Sequence, residues 1–309
     1  MSLVISHNFA ASYAARQLEV NDDNLRNSLN KLSSGKRIVR PTDDAAGMAV
    51  QLKMKAAINR GFAAKNNIQN AISFLQTQDG VLTTATSVVD RMAELRAMAT
   101  DATKNDSDIA NYDEEFQVLR QQLLDLQDEK FNGVRLFVAD ENDHDQNTTA
   151  VEGIFKIWTT EQGNAGEGGA TEAPSVTFEG VHLGNATATA GILQHTVHED
   201  FDVANNDATA TPAEFGLTTI SMTQILDDLQ RLANARAKNG ALQSRLGYAY
   251  ENASISKANM EAARSRIIDV DIAEESTKFA SLNILTQASA SMLAQANQTG
   301  RTALQLLMA

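Results

Sequence analysis

Both ends of this 309-residue chain are written as amphipathic helix, and neither end contains a core it could fold around. Val4, Ala11, Leu18, Leu25 and Leu32 recur every seven residues; Leu285, Met292 and Leu306 do the same at the other end, with Thr299 in the vacant slot. A sustained heptad makes one narrow apolar stripe, which is buried only when another helix lies along it. Two such stripes predict a chain that doubles back and pairs its own termini, leaving apolar surface for other copies. Leu18, Leu25, Leu32, Leu285, Met292 and Leu306 are therefore candidate polymer contacts.

Between the ends the pattern remains helical, with one interruption. Pro41 breaks the first helix, and Thr42-Asp43-Asp44 offers N-cap side chains for a second beginning near Ala45. There Ile68, Leu75, Leu82 and Val89 hold the seven-residue spacing, with Ile72 and Ala93 on the adjoining row. A helix from 45 to 100 is a rod roughly 80 Å long. Lys104 to Asp108 reads as a turn, and Tyr112, Phe116, Leu119, Leu123 and Leu126 make an a/d stripe for an antiparallel return helix. Asn132-Gly133 beside Val134 and Phe137 is a hairpin signal. Short runs at Gly153–Thr159 and Ser175–Leu183 look like strands in a glycine-rich stretch. Helix resumes near Thr223, where Ile225, Leu232, Asn239, Leu246, Ala253, Met260 and Ile267 are seven apart. Asn239 either sits on that seam and fixes register, or faces solvent through a drift of phase.

The expected fold is mainly α, with long antiparallel, coiled-coil-like rods built from both chain ends and a small β-rich inserted outer domain. Residues 1–43 and 272–309 form the terminal helical domain, 44–140 and 214–271 the rod, and 141–213 an insertion expected to be separable. Nesting of this kind places the insertion at one end of an elongated molecule and both termini at the other.

Net charge is −13, and all of it comes from one place: residues 136–216 hold fourteen acids and one base, Lys156, while the remainder cancels. A neutral body beside an acidic segment excludes nucleic acid as a partner, which needs basic surface. No apolar run approaches the ~20 residues that span a bilayer, so no membrane partner is expected. The absence of cysteine rules out disulfides and cysteine nucleophiles. The first residues lack a cleavable signal pattern; the chain either stays inside or leaves by a route that reads something else.

Two long motifs then become recognisable. Leu32-Ser33-Ser34-Gly35-Lys36-Arg37-Ile38 followed by Asp43-Asp44-Ala45-Ala46-Gly47-Met48-Ala49 resembles the N-terminal signature of bacterial flagellins. Ala263-Arg264-Ser265-Arg266-Ile267-Ile268-Asp269-Val270-Asp271, then Met292-Leu293-Ala294-Gln295-Ala296-Asn297-Gln298, resembles the other end of that family. The likeness covers residues 1–137 and 217–309. It implies a secreted, extracellular filament subunit for motility that polymerises with itself, is exported by the flagellar type III apparatus, and meets an export chaperone and the filament cap and junction proteins. It also implies recognition by a host Toll-like receptor through Arg91, Glu94, Leu95 and Glu115. Ala93 and Arg96 depart from the family's pattern in that patch.

Enzymatic chemistry finds little support. His182, His195, His198 and Glu199 lack the H-E-x-x-H spacing of a helical zinc site. No phosphate loop, G-x-S-x-G, or nucleophile beside an activating base occurs. The expectation is no enzyme, no cofactor and no metal. Two alternatives stand beside the filament subunit: a hook–filament junction protein, and a filament displaying a ligand-binding module in residues 141–213. The resemblance also implies that the terminal domains pack around a central channel, and one sequence feature fits a lining for it. From Phe279 to Ala309 there is no acid and one base, Arg301, with neutral polar residues between the apolar rows.

Overall fold

The computed structural model describes residues 8–137, 154–160, 174–179, 181, 183, 193 and 216–308. Within them the elements run α1 (Phe9–Ser34), α2 (Ala45–Ala99), α3 (Asp106–Gln127), β1 (Lys130–Phe131), β2 (Val134–Arg135), β3 (Ile154–Trp158), β4 (Ser175–Glu179), α4 (Met222–Ile268) and α5 (Ile272–Met308). The strands form two antiparallel pairs, β1 with β2 and β3 with β4. The chain divides into two compact units, Met1–Ile58 with Ala258–Ala309, and Asn59–Lys257. The division falls within α2 and α4, after the 43/44 boundary and before the 271/272 boundary expected from the sequence.

Helix ends follow local chemistry. Asn8 caps α1 by accepting from the Ala11 amide at 3.0 Å, and Gly35, at φ +67°, ends that helix in the left-handed conformation glycine tolerates best. Asp44 opens α2 by accepting from the Gly47 amide at 2.8 Å. A Cβ on Gly47 would lie 2.8 Å from Ile38 Cδ1 and collide with the Asp44 carboxylate, so a larger residue here would have to displace the capping side chain. Asn105 and Asp108 form a reciprocal capping box at the start of α3. Asn132 and Gly133 both have positive φ, 52° and 83°, as a two-residue turn joining β1 to β2 requires.

The second unit is built on rows that match the sequence reading. Ile68, Leu75, Leu82 and Val89 of α2, Phe116, Leu123 and Leu126 of α3, and Ile225, Leu232 and Leu246 of α4 share one buried cluster. Asn239 lies on the seam, 2% exposed. Its amide nitrogen donates to the Leu75 carbonyl at 3.1 Å and to Gln78 Oε1 at 3.3 Å, and its oxygen accepts from Gln243 Nε2 at 3.2 Å. Gln78, also buried, donates to the Leu136 carbonyl at 2.7 Å.

The inserted strands are less separable than expected. Phe155 of β3 and Phe131 of β1 both meet the Phe74 ring of α2, at centroid distances of 5.5 and 6.0 Å. Val176, Leu183 and Leu193 are buried in the same cluster as the helices. Their burial corrects the picture of an independent module. A two-stranded ribbon is marginal by itself, and here it gains its support from the helices. The histidine group at 182–199 lies outside the described residues. Among the described residues no group of acids and histidines is arranged to hold a metal, and no helix is long and apolar enough to cross a membrane.

Candidate assembly site

In the first unit α1 lies along α5. The α1 face turned inward is Ala11, Ala14, Leu18, Asn21, Leu25, Ser28 and Leu32, a 3-4 alternation in which Leu18, Leu25 and Leu32 are half-buried. Its counterpart on α5 is Glu275, Phe279, Leu282, Thr286, Ser289, Leu293 and Ala296. Five polar residues therefore sit on the seam, of which Thr286 bonds within its own helix to the Leu282 carbonyl. Asn21 Nδ2 donates to Ser289 Oγ at 2.7 Å, and Ser28 Oγ donates to Glu275 Oε1 at 2.6 Å.

The row expected to make this pairing on α5 sits elsewhere. Leu285 is 47% exposed and Met292 66% exposed, with Ile284 further round the helix. The correction has a simple cause. The inner row mixes apolar and polar residues, so hydropathy alone selects the row beside it. Leu306 belongs to α5, but its side chain lies outside the described residues. Phe9, Tyr13 and Val20 make an exposed apolar row on α1.

The two recognisable motifs meet each other at one end of this pair. Lys36 and Asp269 form an antiparallel bridge; the Arg37 amide donates to the Ile268 carbonyl at 2.6 Å and the Val270 amide to the Gly35 carbonyl at 3.1 Å. The Arg37 guanidinium adds a bond to the Ile267 carbonyl at 2.7 Å. Behind it Asp43 Oδ2 accepts from the Arg40 and Val39 amides at 2.9 and 3.0 Å, and those bonds, Arg40's foremost, hold its carboxyl below the usual range. Sequence reasoning identified these segments by likeness but gave no reason for their chemistry. The structure supplies one, a backbone latch joining residues from opposite ends of the chain.

In the second unit Arg91 lies 2.8 Å from both Glu94 and Glu115, so α2 and α3 bring three of the four receptor candidates together. Hydrogen bonding to Glu94, then to Glu115, raises the guanidinium's pKa further. Leu95 is not on that surface. It is fully buried in the helical cluster, which corrects its assignment as an apolar anchor for a partner. Four residues from Arg91 is near enough to share a face by spacing, but α2 is covered on that side by its own unit.

Paired terminal helices, a folded body and an outer apolar row are the features of a subunit of the helical-assembly class. Residues 5–142 match the bacterial flagellin N-terminal helical region, and residues 222–307 match the bacterial flagellin C-terminal helical region. A flagellin of Bacillus subtilis (strain 168) is 34% identical, covering 98% of this chain and 99% of that protein. A flagellin of Halalkalibacterium halodurans is 34% identical over 99% of this chain and all of its own length. The flagellar filament 30.7 kDa core protein of Treponema maltophilum is 31% identical over 99% of this chain and all of its own length. The chain belongs to the bacterial flagellins, the structural proteins of the extracellular flagellar filament.

Proposed function

We propose that this chain polymerises with itself into the filament through the outer rows of its terminal helix pair. It leaves the cell unfolded through the flagellar type III apparatus, held beforehand by an export chaperone, and adds beneath the cap beyond the junction proteins. One observation carries the assembly reading. Leu285 and Met292 remain exposed on a helix whose inner seam is already occupied by α1. Exposed apolar side chains grouped on one face mark an interaction surface, and a second copy presents its own such row.

Leu285→Asp and Met292→Asp test this reading cleanly, because neither side chain is needed inside the chain. Each variant should keep parental helicity and stability in the monomer and form no long filaments by negative-stain microscopy. Normal filaments from both variants would remove the outer row from the lattice. Short, length-limited polymers from the parental chain would instead favour the junction-protein alternative. Stoichiometric metal or ligand uptake by the whole chain, lost on replacing residues 141–213, would favour a displayed binding module. The Arg91–Glu94–Glu115 cluster supports a second reading, recognition by a Toll-like receptor. Arg91→Ala should weaken receptor binding while leaving the fold intact.

A further inference from the structure

The apolar residues of α1 do not by themselves choose one alignment with α5. Ala11, Leu18, Leu25 and Leu32 repeat at seven, so a slide of one heptad lays leucine where leucine already lay. The alternate row does not repeat in this way. It reads Ala14, Asn21, Ser28 and Gly35, and two of its members are among the most buried residues of the unit.

We propose that the Asn21–Ser289 and Ser28–Glu275 hydrogen bonds are the specificity determinants that fix the register of the terminal helix pair. They thereby fix how the outer rows of α1 and α5 line up for the next copy. The assignment rests on the proposed polymer for its functional consequence. In the present register every polar member of the seam named here has its partner: Asn21 donates to Ser289, Ser289 donates in turn to the Leu285 carbonyl, and Ser28 donates to Glu275. A slide of one heptad in one direction brings Gly35 to Glu275, leaving a buried carboxylate without its donor. The other direction brings Ala14 to Ser289 and Asn21 to Glu275, so one cross-helix bond is kept, the other is lost, and Ser28 is carried away from its acceptor to where Gly35 now sits. One slide strands a buried carboxylate, which costs more than a hydrogen bond gains, and the other keeps one cross-helix bond of two, so two unlike pairs discriminate between registers in which most of the leucine row still meets leucine positions. A buried polar residue at a seam position is a well-attested way to specify register. The backbone latch at Gly35–Arg37 holds one end of the pair, and Asn8, donating to the Ala296 carbonyl at 2.9 Å, ties the other; the two seam bonds lie between them and, among the described residues, alone join side chain to side chain.

The chain has no cysteine, so labels can be placed at will. Ala15→Cys and Ser276→Cys carry spin labels at two exposed sites far apart along the pair. Labelled chains are copolymerised with an excess of unlabelled chain, and the intramolecular distance is read by double electron–electron resonance. With the natural seam a single distance is expected. In the apolar seam N21L/S28L/E275L/S289L, and in the milder N21A/S28A, a second population should appear, displaced by about 10 Å, the rise of one heptad. E275Q, which can still accept from Ser28, should retain the single distance. One unshifted distance in N21A/S28A or in the leucine variant overturns the assignment, because the latch and apolar packing would then suffice. If the unsubstituted chain does not polymerise, the proposed function fails instead. The same variants are then read on the full chain in solution, where the expected and refuting results are unchanged.

Discussion

Asn239→Ala should destabilise the second unit out of proportion to the few atoms it removes. The side chain is almost fully buried and holds three bonds, so its loss leaves Gln78 Oε1 without its donor inside the seam. Leu75's carbonyl stands within α2, and half-buried Gln243 can turn to water, so neither adds much. One stranded buried acceptor costs about 1–3 kcal/mol, and the cavity left by the carboxamide brings the total to about 2–4 kcal/mol. For a unit of this size that corresponds to a fall in Tm of roughly 5–12 °C. Gln78→Ala should cost at least as much, since it also abandons the buried Leu136 carbonyl. Urea unfolding of the purified monomer, followed by circular dichroism, gives both values, and an unchanged m-value would confirm that the denatured state is not the cause. The double variant should show a coupling of about 1 kcal/mol between the two sites. Single-variant losses under about 0.5 kcal/mol, or no coupling, would show that the amides are bystanders on an apolar seam.

Leu95→Ala should lower the stability of the second unit by about 2–5 kcal/mol, as for other fully buried leucines, and any loss of receptor binding should disappear when binding is measured well below the melting transition. Joining Asp140 to Ala213 through a short Gly/Ser linker removes Val176, Leu183 and Leu193 from the core. At about 1.5–3 kcal/mol for each buried aliphatic side chain, Tm should drop by about 10 °C or more; parental Tm by calorimetry would restore the separable module. Asp43 is held below the usual carboxylate range chiefly by the Arg40 amide, so its contribution is present above about pH 4 and is lost as pH falls through its folded-state value. A carboxyl-carbon NMR titration should place its midpoint below about 3.9, and a midpoint at or above that value refutes the assignment.

Features fixed by a few neighbouring residues were readable in the sequence. Asp44 before Ala45 and Asn132-Gly133 act through local backbone chemistry, and each sits where that chemistry puts it, whereas the turn expected at Lys104–Asp108 is instead the capped start of α3. The seam of the second unit was readable too, because its most apolar row is also its buried row. Asn239 remained open between two faces until α2 brought Gln78 opposite it. The insertion misled through its composition. Acid and glycine dominate it, yet three aliphatic residues tie it to the helices. Leu95, carried over from the resemblance with Arg91 four residues before it, misled because one face in projection can be two environments when a neighbour covers half of it.

The terminal pair was hidden for a deeper reason. A hydropathy row records what each residue prefers alone, and by that measure Asn21, Ser28, Glu275 and Ser289 look misplaced on a seam while Leu285 and Met292 look well suited to one. Their assignment reverses once the helices are aligned, because Asn21 and Ser28 each donate to a side chain more than two hundred residues away. Information of that kind resides in pairs and is absent from either half of the sequence. The leucines displaced outward are then free for the surface that other copies meet. A subunit whose strongest apolar row were used internally would have less to offer its neighbours. Placing hydrogen bonds among the inner leucines, with Leu285 and Met292 left outside, lets the same two helices hold their own register and still carry an assembly face.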